Sequence, residues 1–531
     1  MIKRIVIKNF KIFDSFELNL NPDLNIIVGD NETGKSTLLE AICLALTKKI
    51  GGRALEYELS PFLFNKETSN AYLQEIKEGK SPEPPKILIE LYLSDESEVQ
   101  TLLGTNNSRK ENSPGVKLEV EFNDEYQEDY DHLLQQNRDI RVVPIEYYKV
   151  KWYSFANETL TPRSLPVGLS NIDATSIRLN SGTDYYLQSI ISGTLAPRER
   201  AALAIAYRKL KEQFSGQPAI ANINRNISRN KGAVTQKDLS LEIDISQKSN
   251  WESSLIPHLD DLPFHLIGKG EQSALKILLA LERQASESQV ILIEEPENHL
   301  SFSSMNKLIS AVQEKCAGKQ IIVATHSAYV LNKLGIEKLV LLHSNKTLSL
   351  AKLPADTQNY FKKLSGYDTL RLVLAERAIL VEGPSDELIV QKAYLLKYGK
   401  LPIQLGTDVI NVRGLAFSRF LDVAKELNKR VAVVTDNDKD YKKNVVDKYE
   451  RYRSANITIC ADPDDKAHTL EFQITKINDL GMLNRIFGTT YSDTQALSEY
   501  MIKNKTECAL KIFETEQAVR LPQYIQDAVE Q

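Results

Sequence analysis

Hydrophobic positions along the chain alternate between strand and helix patterns, which predicts an α/β protein. The chain opens with β-branched and charged residues in alternation around Arg4–Ile7, and a mostly apolar strand is expected at Leu24–Val28. Apolar residues then recur at helical spacing from Ser36 to Leu46. The strand-helix pattern resumes at Leu266 and begins afresh at Ala378, so more than one α/β unit is expected.

Composition and charge narrow the class of protein. With 42% hydrophobic and 26% charged residues, the chain is typical of a globular protein, and no apolar run approaches the roughly 20 residues that span a bilayer. We therefore expect a cytoplasmic protein with no membrane contact. The four cysteines are far apart and form no C-x-x-C pair, so neither disulfides nor a cysteine zinc site is expected. A net charge of −5 means that any DNA contact must come from local basic patches or from metal ions.

Gly29–Ser36 fits the G-x-x-x-x-G-K-S pattern and lies between an apolar strand and a helix. In such a loop the backbone N–H groups surround phosphate, Lys35 reaches the β and γ oxygens, and the Ser36 hydroxyl joins Mg²⁺. We expect Asn31, Gly34 and Thr37 to complete the nucleotide contacts. The sequence therefore predicts an ATP site here.

Two further segments fit the same chemistry. The strand Val290–Ile293 ends in Glu294 and Glu295, the first suited to the Mg²⁺ water shell and the second to orienting the attacking water. Taken alone, this segment would be a core strand with a solvated acidic turn. His326 follows the next strand and is interpreted as a γ-phosphate sensor, although a lone histidine is more often a packed or surface residue.

A glycine-rich segment, Gly268–Gln272, precedes a helix expected at Ser273–Leu281. A glycine-rich helix N-terminus binds phosphate well, and Gly270 and Gln272 are the expected contacts. The four motifs in this order resemble the SMC- and RecN-like branch of ABC ATPases. That resemblance implies a homodimer or higher homo-oligomer, in which this segment reaches the ATP of the other subunit. One ATPase motif of that branch, the glutamine of the Q-loop, is not assigned to a residue.

Carboxylates follow the strands of the C-terminal unit. Their order along the chain is Glu382, Asp386, Asp436, Asp438 and Glu471. Parallel strands that end in acids create an oxygen-ligand site at one edge of the sheet, which suits Mg²⁺ or Mn²⁺ better than zinc. Two such ions can hold a scissile phosphodiester. Each acidic segment by itself could equally be a polar turn after a core strand.

Together, E-G-P-S-D at Glu382–Asp386 and D-N-D at Asp436–Asp438, with Gly414 between them, resemble the Toprim fold of topoisomerases, primases and certain nucleases. An ABC ATPase followed by Toprim resembles the overcoming-lysogenisation-defect (OLD) family of nucleases, which includes the Gabija-type phage-defence effectors. The resemblance implies that all five acids bind metal and that Glu382 and Asp436 are catalytic.

The OLD family also has a lysine near its C-terminus that stabilises charge in the transition state. The stretch Asn504–Ala509 is similar to that motif, which makes Lys505 the candidate for this role. In the ATPase, Glu295 is the expected catalytic residue. Lys503 and Lys511 stand close by, and a solvated lysine at a helix start is the alternative.

The expected domain order follows from these motifs. The ABC-type P-loop ATPase occupies residues 1–164 and 246–355, a mostly helical insertion at 165–245 serves dimerisation, and a Toprim domain with a helical appendage spans 376–531. The insertion is inferred from Arg198–Gln213, which is rich in Ala, Leu and charged residues at helical spacing.

Two functions are consistent with this organisation. The first is an ATP-regulated, Mg²⁺- or Mn²⁺-dependent endonuclease that cuts double-stranded DNA in anti-phage defence, with a further partner protein encoded nearby. The alternative is an SMC/RecN-like DNA-repair scaffold whose Toprim domain binds DNA or a partner without cutting. Complete carboxylate motifs favour the nuclease. The chain lacks the extra domains of a topoisomerase and the zinc module of a primase.

Overall fold

A computed structural model gives the architecture of the chain. It describes all residues except 137, 163, 174–178, 181–182, 185–194, 229–239, 245–250, 252–255, 257, 283–288, 316, 344–345, 365–367 and 415. The chain divides into two compact units, one formed by Met1–Leu169 with Gly318–Gln531 and the other by Ser170–Ala317. Within the described ranges, no helix is both long and apolar enough to cross a membrane.

The N-terminal part of the first unit combines an antiparallel sheet with the strand and helix around the glycine loop. Its main elements are β1 Ile2–Phe10, β2 Phe13–Asn19, β3 Leu24–Gly29, α1 Lys35–Thr47, α2 Lys66–Lys77, β4 Ile87–Leu93, β5 Ser113–Phe122, α3 Gln127–Gln136 and β6 Tyr148–Ser154. The antiparallel sheet has the order β2-β1-β4-β5-β6. The Trp152 indole N–H donates to Ala45 O at 2.8 Å, which fixes α1 against this sheet.

The second unit contains the predicted helical insertion and the strand with two terminal glutamates. Its main elements are β7 Leu169–Asp173, α4 Pro197–Ser215, α5 Pro218–Ser228, α6 Lys269–Glu282, β8 Val290–Glu294 and α7 Phe302–Lys315. Strand β7 lies beside β8 in the sheet, and α6 packs on α7. Among its described residues, the predicted insertion over 165–245 contains the helices α4 and α5 and, near its start, strand β7.

After residue 317 the chain returns to the first unit and completes the sheet around β3. The elements are β9 Gln320–Ala324, α8 Ala328–Leu334, β10 Leu339–His343 and β11 Lys346–Ser349. Strands β9 and β10 run parallel to β3 on its two sides, and β11 adds to β10 in the antiparallel direction. Every residue of β3 and β9 is buried, which explains their mostly apolar sequences.

The C-terminal part has its own parallel sheet and core. Its helices are α9 Ala355–Lys363, α10 Thr369–Leu374, α11 Pro384–Tyr398, α12 Phe417–Glu426, α13 Leu470–Ile477, α14 Leu480–Phe487, α15 Thr494–Lys503, α16 Lys505–Glu514 and α17 Gln523–Glu530. Its strands are β12 Arg377–Val381, β13 Thr407–Asn411, β14 Arg430–Val434 and β15 Ile457–Cys460, and a π-helix spans Lys442–Asp447. The four strands are all parallel, in the order β13-β12-β14-β15. The carboxyl ends of all four strands therefore meet at one edge of the sheet.

Candidate functional site

The glycine loop joins β3 to α1 with a left-handed residue at the helix start. Gly34 has φ 100°, and a Cβ there would lie 2.6 Å from the Phe13 ring, so a larger residue would be strained and would clash. The Lys35 ammonium is buried and donates to the carbonyls of Gly29 at 2.9 Å and Asp30 at 2.8 Å. Beside the loop is a cavity of about 280 Å³, lined by Lys11, Ile12, Glu32, Gly34, Lys35, Ser36 and Thr37. Asn31 is exposed in the same loop.

His326 lies at the same sheet edge as the glycine loop. Strand β9 pairs in parallel with β3, and the Thr325 amide donates to Ile27 O at 3.1 Å. The residue after Thr325 therefore emerges where β3 runs into its loop. His326 itself is partly buried. This arrangement is compatible with the predicted role as a phosphate sensor.

In the second unit, the two glutamates end β8 as expected. Glu294 and Glu295 are partly buried, and Glu295 has a left-handed φ of 46°. The Asn298 side-chain amide donates to Glu295 Oε2, so this carboxylate is held by its own loop. The backbone of a non-glycine residue in this conformation is uncommon and is maintained here by the turn that follows the strand.

The glycine-rich segment of the second unit differs from its prediction. Helix α6 begins at Lys269 rather than at Ser273, so Gly270 and Gln272 belong to its first turn. A Cβ on Gly270 would lie 2.0 Å from His299 O, so glycine is needed for close backbone approach to the loop after β8. The Gln272 side chain is buried and donates to Phe264 O and Ile267 O, both at 2.8 Å. Gln272 therefore stabilises its own loop instead of facing outward as a nucleotide contact would.

The Toprim-like edge joins the ends of β12 and β14 through a carboxylate. Glu382 directly follows β12, and its Oε1 accepts hydrogen bonds from the Thr435 hydroxyl at 2.7 Å and the Asp436 amide at 3.2 Å. The Gly414 amide donates to Glu382 O at 2.8 Å, and Gly414 has a left-handed φ of 98°. The glycine identified between the two acidic motifs thus supports the backbone of the first one.

The other acids are fixed by helix starts. Asp386 lies in the first turn of α11, where its Oδ2 accepts from the Gly383 amide at 3.2 Å. Asp436 Oδ1 accepts from the Leu470 amide at 3.0 Å, at the start of α13. Glu471, only 4% exposed, accepts from the Thr469 hydroxyl at 2.8 Å. Three different elements therefore deliver carboxylates to one buried region.

Burial and the charges of neighbouring acids raise the pKa values of two of these carboxylates. Burial, followed by the charges of Glu382 and Glu471, raises the pKa of Asp386 to about 7. Burial and the charges of neighbouring acids raise the pKa of Asp436 to about 9. Clustered acids with raised pKa values are typical of a functional site that binds a cation.

Lys505 is the cation nearest to this group among the three lysines considered. Its Nζ lies 3.7 Å from Glu471 Oε1, at the first residue of α16. Burial opposes its charge, but the surrounding carboxylates, Glu471 first among them, outweigh burial and raise the pKa of Lys505. Lys511 instead donates to Phe487 O at 3.1 Å and lies 3.5 Å from Glu507.

Asp438 is separated from the buried acids. It is exposed, and both Asp438 and Lys439 have left-handed φ values, of 49° and 72°. The turn is held by the fully buried Asn437, whose side chain donates to Asp462 O at 2.9 Å and Asp464 O at 3.0 Å. The predicted five-acid set therefore consists of four interacting carboxylates and one at the solvent boundary.

The donors fit a hard cation in kind and in charge. They are all oxygens, and among the described residues Glu382 Oε2, Asp436 Oδ2 and Asp386 Oδ1 accept no hydrogen bond. Across the same described residues, no three His, Cys, Asp or Glu side chains already converge in a metal-holding arrangement. A cation that binds here would relieve the buried repulsion described above.

Two residues of the site were missed by the sequence analysis. Thr435 belongs to neither acidic motif, although its hydroxyl connects the two. Tyr524 of α17 is buried in the same core as Val381, Val434 and Leu470, and its hydroxyl has no hydrogen-bond partner among the described residues. The pKa of Tyr524 is raised first by burial and then by the acids, Asp436 foremost. No local pattern points to a tyrosine so far from the motifs.

Comparison with known families defines the class of this protein. Residues 24–332 match the family described as "AAA domain, putative AbiEii toxin, Type IV TA system", and residues 373–438 match "Overcoming lysogenization defect protein-like, TOPRIM domain". The chain therefore combines an AAA ATPase domain with a C-terminal Toprim domain. The chain belongs to the AAA family that matches more than half of its length, and its resemblance to the OLD ATPase-Toprim proteins is confirmed.

Individual proteins are similar to this chain over much of its length. "Endonuclease GajA" of Bacillus cereus strain VD045 is 22% identical over 481 residues, which cover 84% of this chain and 76% of the relative. The protein of the same name from strain HuB5-5 is 22% identical over 585 residues, covering 91% and 82%. A solved SMC head bound to the C-winged helix domain of ScpA is 14% identical, covers 66% of this chain and 98% of that one, and has a TM-score of 0.36.

Proposed function

We propose that this chain is an ATP-regulated, divalent-metal-dependent endonuclease that cuts double-stranded DNA in defence against phages. The observation that carries the proposal is the group of four interacting carboxylates, one buried and three partly buried, with Lys505 beside it at the carboxyl edge of a parallel sheet. The name of the two Bacillus cereus relatives, an endonuclease, agrees with this chemistry.

The proposed reaction is hydrolysis of a phosphodiester. A water oxygen forms a bond to phosphorus, the bond from phosphorus to one sugar oxygen breaks, and that sugar oxygen leaves as a hydroxyl. Bound Mg²⁺ or Mn²⁺ would lower the pKa of the attacking water and neutralise phosphate charge. Glu382, Asp386, Asp436 and Glu471 would hold the metal, and Asp438 would join from the solvent side.

The chain's own groups prepare this site before any substrate arrives. Thr435 and the Leu470 amide fix one oxygen each of Glu382 and Asp436, which leaves the other oxygen of each acid available. Lys505 would stabilise the negative charge that develops on the phosphate in the transition state. Preorganised groups of this kind require little rearrangement during the reaction.

For the ATPase, we propose that Lys35 and Ser36 bind the triphosphate and its Mg²⁺. By motif order, Glu294 would hold the Mg²⁺ water shell, Glu295 would orient the attacking water, and His326 would sense the γ-phosphate. Asn31, Gly34 and Thr37 would line the nucleotide in the glycine loop, and Gly270 would support the neighbouring loop.

We also propose that ATP regulates cutting, with Lys429 as a residue whose charge interacts with both the glycine loop and the Toprim domain. Lys429, next to β14, donates to Ala375 O at 2.8 Å. Burial lowers the pKa of Lys429, and the charges of Asp30 in the glycine loop and of Glu376 oppose that effect. A change of charge at the glycine loop would therefore act on a residue at the base of a site strand.

Self-association is supported by an apolar face on α4. Leu203, Leu210 and Phe214 lie on one side of this helix and are 41%, 59% and 53% exposed. Large exposed apolar side chains on one helix face favour burial against another copy. We propose a homodimer or higher homo-oligomer, which light scattering of the full chain would detect.

Plasmid nicking tests the nuclease proposal directly. Wild type should nick plasmid DNA in Mg²⁺ or Mn²⁺, and removal of the Asp436 carboxylate should abolish nicking. If wild type fails to nick any form of DNA, a scaffold that binds DNA without cutting becomes the better account.

A further inference from the structure

A row of exposed lysines follows directly after the D-N-D turn of the Toprim domain. Between residues 439 and 453 the sequence has six Lys or Arg and three Asp or Glu, a local net charge of +3 in a chain whose net charge is −5. Four of these cations are exposed lysines next to the turn, and we refer to them as the lysine strip: Lys439, Lys442, Lys443 and Lys448.

The lysine strip is not neutralised by protein carboxylates. Elsewhere in the domain, Lys397 pairs with Glu530 and Lys476 pairs with Asp464. Within the part of the chain that the structure describes, no member of the lysine strip forms such an ion pair, and the Lys448 ammonium lies over the Tyr449 ring at 5.0 Å. The positive charge of the strip is therefore available to an external anion.

The backbone of this segment is tied firmly to the catalytic turn. The Asn444 side chain donates to Asn437 O at 3.1 Å and to Asp438 O at 3.3 Å. The Lys443 amide donates to Asp440 Oδ1 at 3.0 Å, and Val445 is fully buried beneath the helix. The backbone that carries the lysines is therefore held next to the D-N-D turn.

The charge of the neighbouring acids gives the lysine strip a role in holding a DNA substrate. The four carboxylates repel phosphate groups, and the overall charge of the chain offers no general attraction.

We propose that the lysine strip binds the phosphates of the DNA strand that flanks the scissile bond. This inference rests on the proposed nuclease function and adds to it the surface that holds the substrate. Contacts from lysine to phosphate are independent of base sequence, so the strip would contribute affinity and position without sequence preference.

The test is the salt dependence of binding to a blunt DNA duplex, measured by fluorescence anisotropy with the full chain. All proteins carry Asp436→Ala, so that the duplex stays intact. The strip variant adds Lys442→Gln and Lys443→Gln. The matched control adds Lys400→Gln and Arg430→Gln, which remove the same charge from exposed residues at the opposite, amino-terminal edge of the sheet.

The strip variant should lower the slope of log affinity against log salt by about 0.9 for each lost contact, or roughly 1.8 in total. The control should keep the parent slope, and Lys442→Arg with Lys443→Arg should restore it, because arginine also binds phosphate. Equal slopes for strip and control variants, or no DNA binding by the parent, would overturn the proposal.

Nicking assays distinguish a failure of the lysine-strip proposal from a failure of the proposed nuclease function. With Asp436 intact, the strip variant should need more plasmid for half-maximal nicking while its rate at saturation stays near that of wild type. If wild type never nicks DNA but the strip variant still shows a lower slope of log affinity against log salt, the proposed nuclease function is wrong and the DNA-binding role of the strip is retained. If wild type nicks and the strip variant matches the control in slope and in plasmid requirement, the strip fails alone.

Discussion

The hydroxyl of Thr435 donates a hydrogen bond to Glu382 Oε1 at 2.7 Å and so connects the ends of two adjacent parallel strands. Thr435 is 5% exposed, which shields this bond from water. The bond links Glu382, the first acid of the E-G-P-S-D motif, to the residue that precedes the D-N-D motif. The two residues lie far apart in sequence. The geometry of the two acids is therefore set by the sheet and by one buried hydroxyl.

Thr435→Val should weaken cleavage by removing that hydroxyl while keeping the side-chain shape. A hydrogen bond to a charged group contributes about 1.5–3 kcal/mol, so we expect at least about a tenfold lower nicking rate. The Mg²⁺ concentration for half-maximal nicking should also rise, because Glu382 loses its orientation. Thr435→Ser is the control and should behave as wild type. Unchanged metal dependence in Thr435→Val would show that the bond has no role in the site.

Lys505→Ala should lower the rate of nicking with a smaller effect on metal requirement. Removal of one group that stabilises transition-state charge typically costs about a hundredfold or more in rate. Lys503→Ala is the matched control, since Lys503 is exposed and ends the preceding helix. Equal losses in both variants, measured on the same plasmid, would mean that Lys505 has no special function.

The raised pKa values predict how stability depends on pH in the absence of metal. Burial and neighbouring acids raise the pKa of Asp436 to about 9, above its usual value of 3.8. The folded state therefore binds more protons than the unfolded state between these two values, so the free energy of unfolding decreases as pH rises through this window.

Asp436→Asn should remove this dependence, because the amide cannot ionise. Thermal melting in EDTA from pH 5 to pH 9 should show a smaller decrease in Tm for the variant than for wild type. Added Mg²⁺ should reduce the decrease in wild type by neutralising the acids. A parallel decrease in both proteins would contradict the buried repulsion.

The ATP site predicts two different phenotypes. Lys35→Ala should abolish nucleotide binding, because its ammonium supplies positive charge where the triphosphate is most negative. Glu295→Gln should retain binding but lose hydrolysis, because the amide cannot orient and activate the attacking water. Binding of a fluorescent ATP analogue and phosphate release would measure the two steps. Normal hydrolysis by Glu295→Gln would reject its assigned role.

Local sequence patterns predicted the elements that depend on short-range rules. The helix expected from Ser36 to Leu46 spans Lys35–Thr47, and the one expected at Arg198–Gln213 spans Pro197–Ser215. The acids after β12 and β14 were predictable because parallel strands bring their carboxyl ends to one edge.

The features that could not be predicted from the sequence depend on long-range contacts or on tight packing. Helix α6 starts four residues before its predicted start. Gly270 lies inside the helix, where the absence of a Cβ lets the loop after β8 approach closely, and it does not belong to a loop before the helix. Gln272 faces its own loop, which only the tertiary structure reveals. Tyr524 reaches the core of the site from the last helix, and nothing in its local sequence indicates that destination.

The most direct test is plasmid nicking by wild type and Asp436→Ala, purified identically, over a series of Mg²⁺ and Mn²⁺ concentrations with ATP hydrolysis measured in parallel. The account predicts metal-dependent nicking by wild type, none by Asp436→Ala, and the same ATP hydrolysis by both. Equal nicking by the two proteins, or no nicking by wild type with any metal, nucleotide or DNA form, would contradict it.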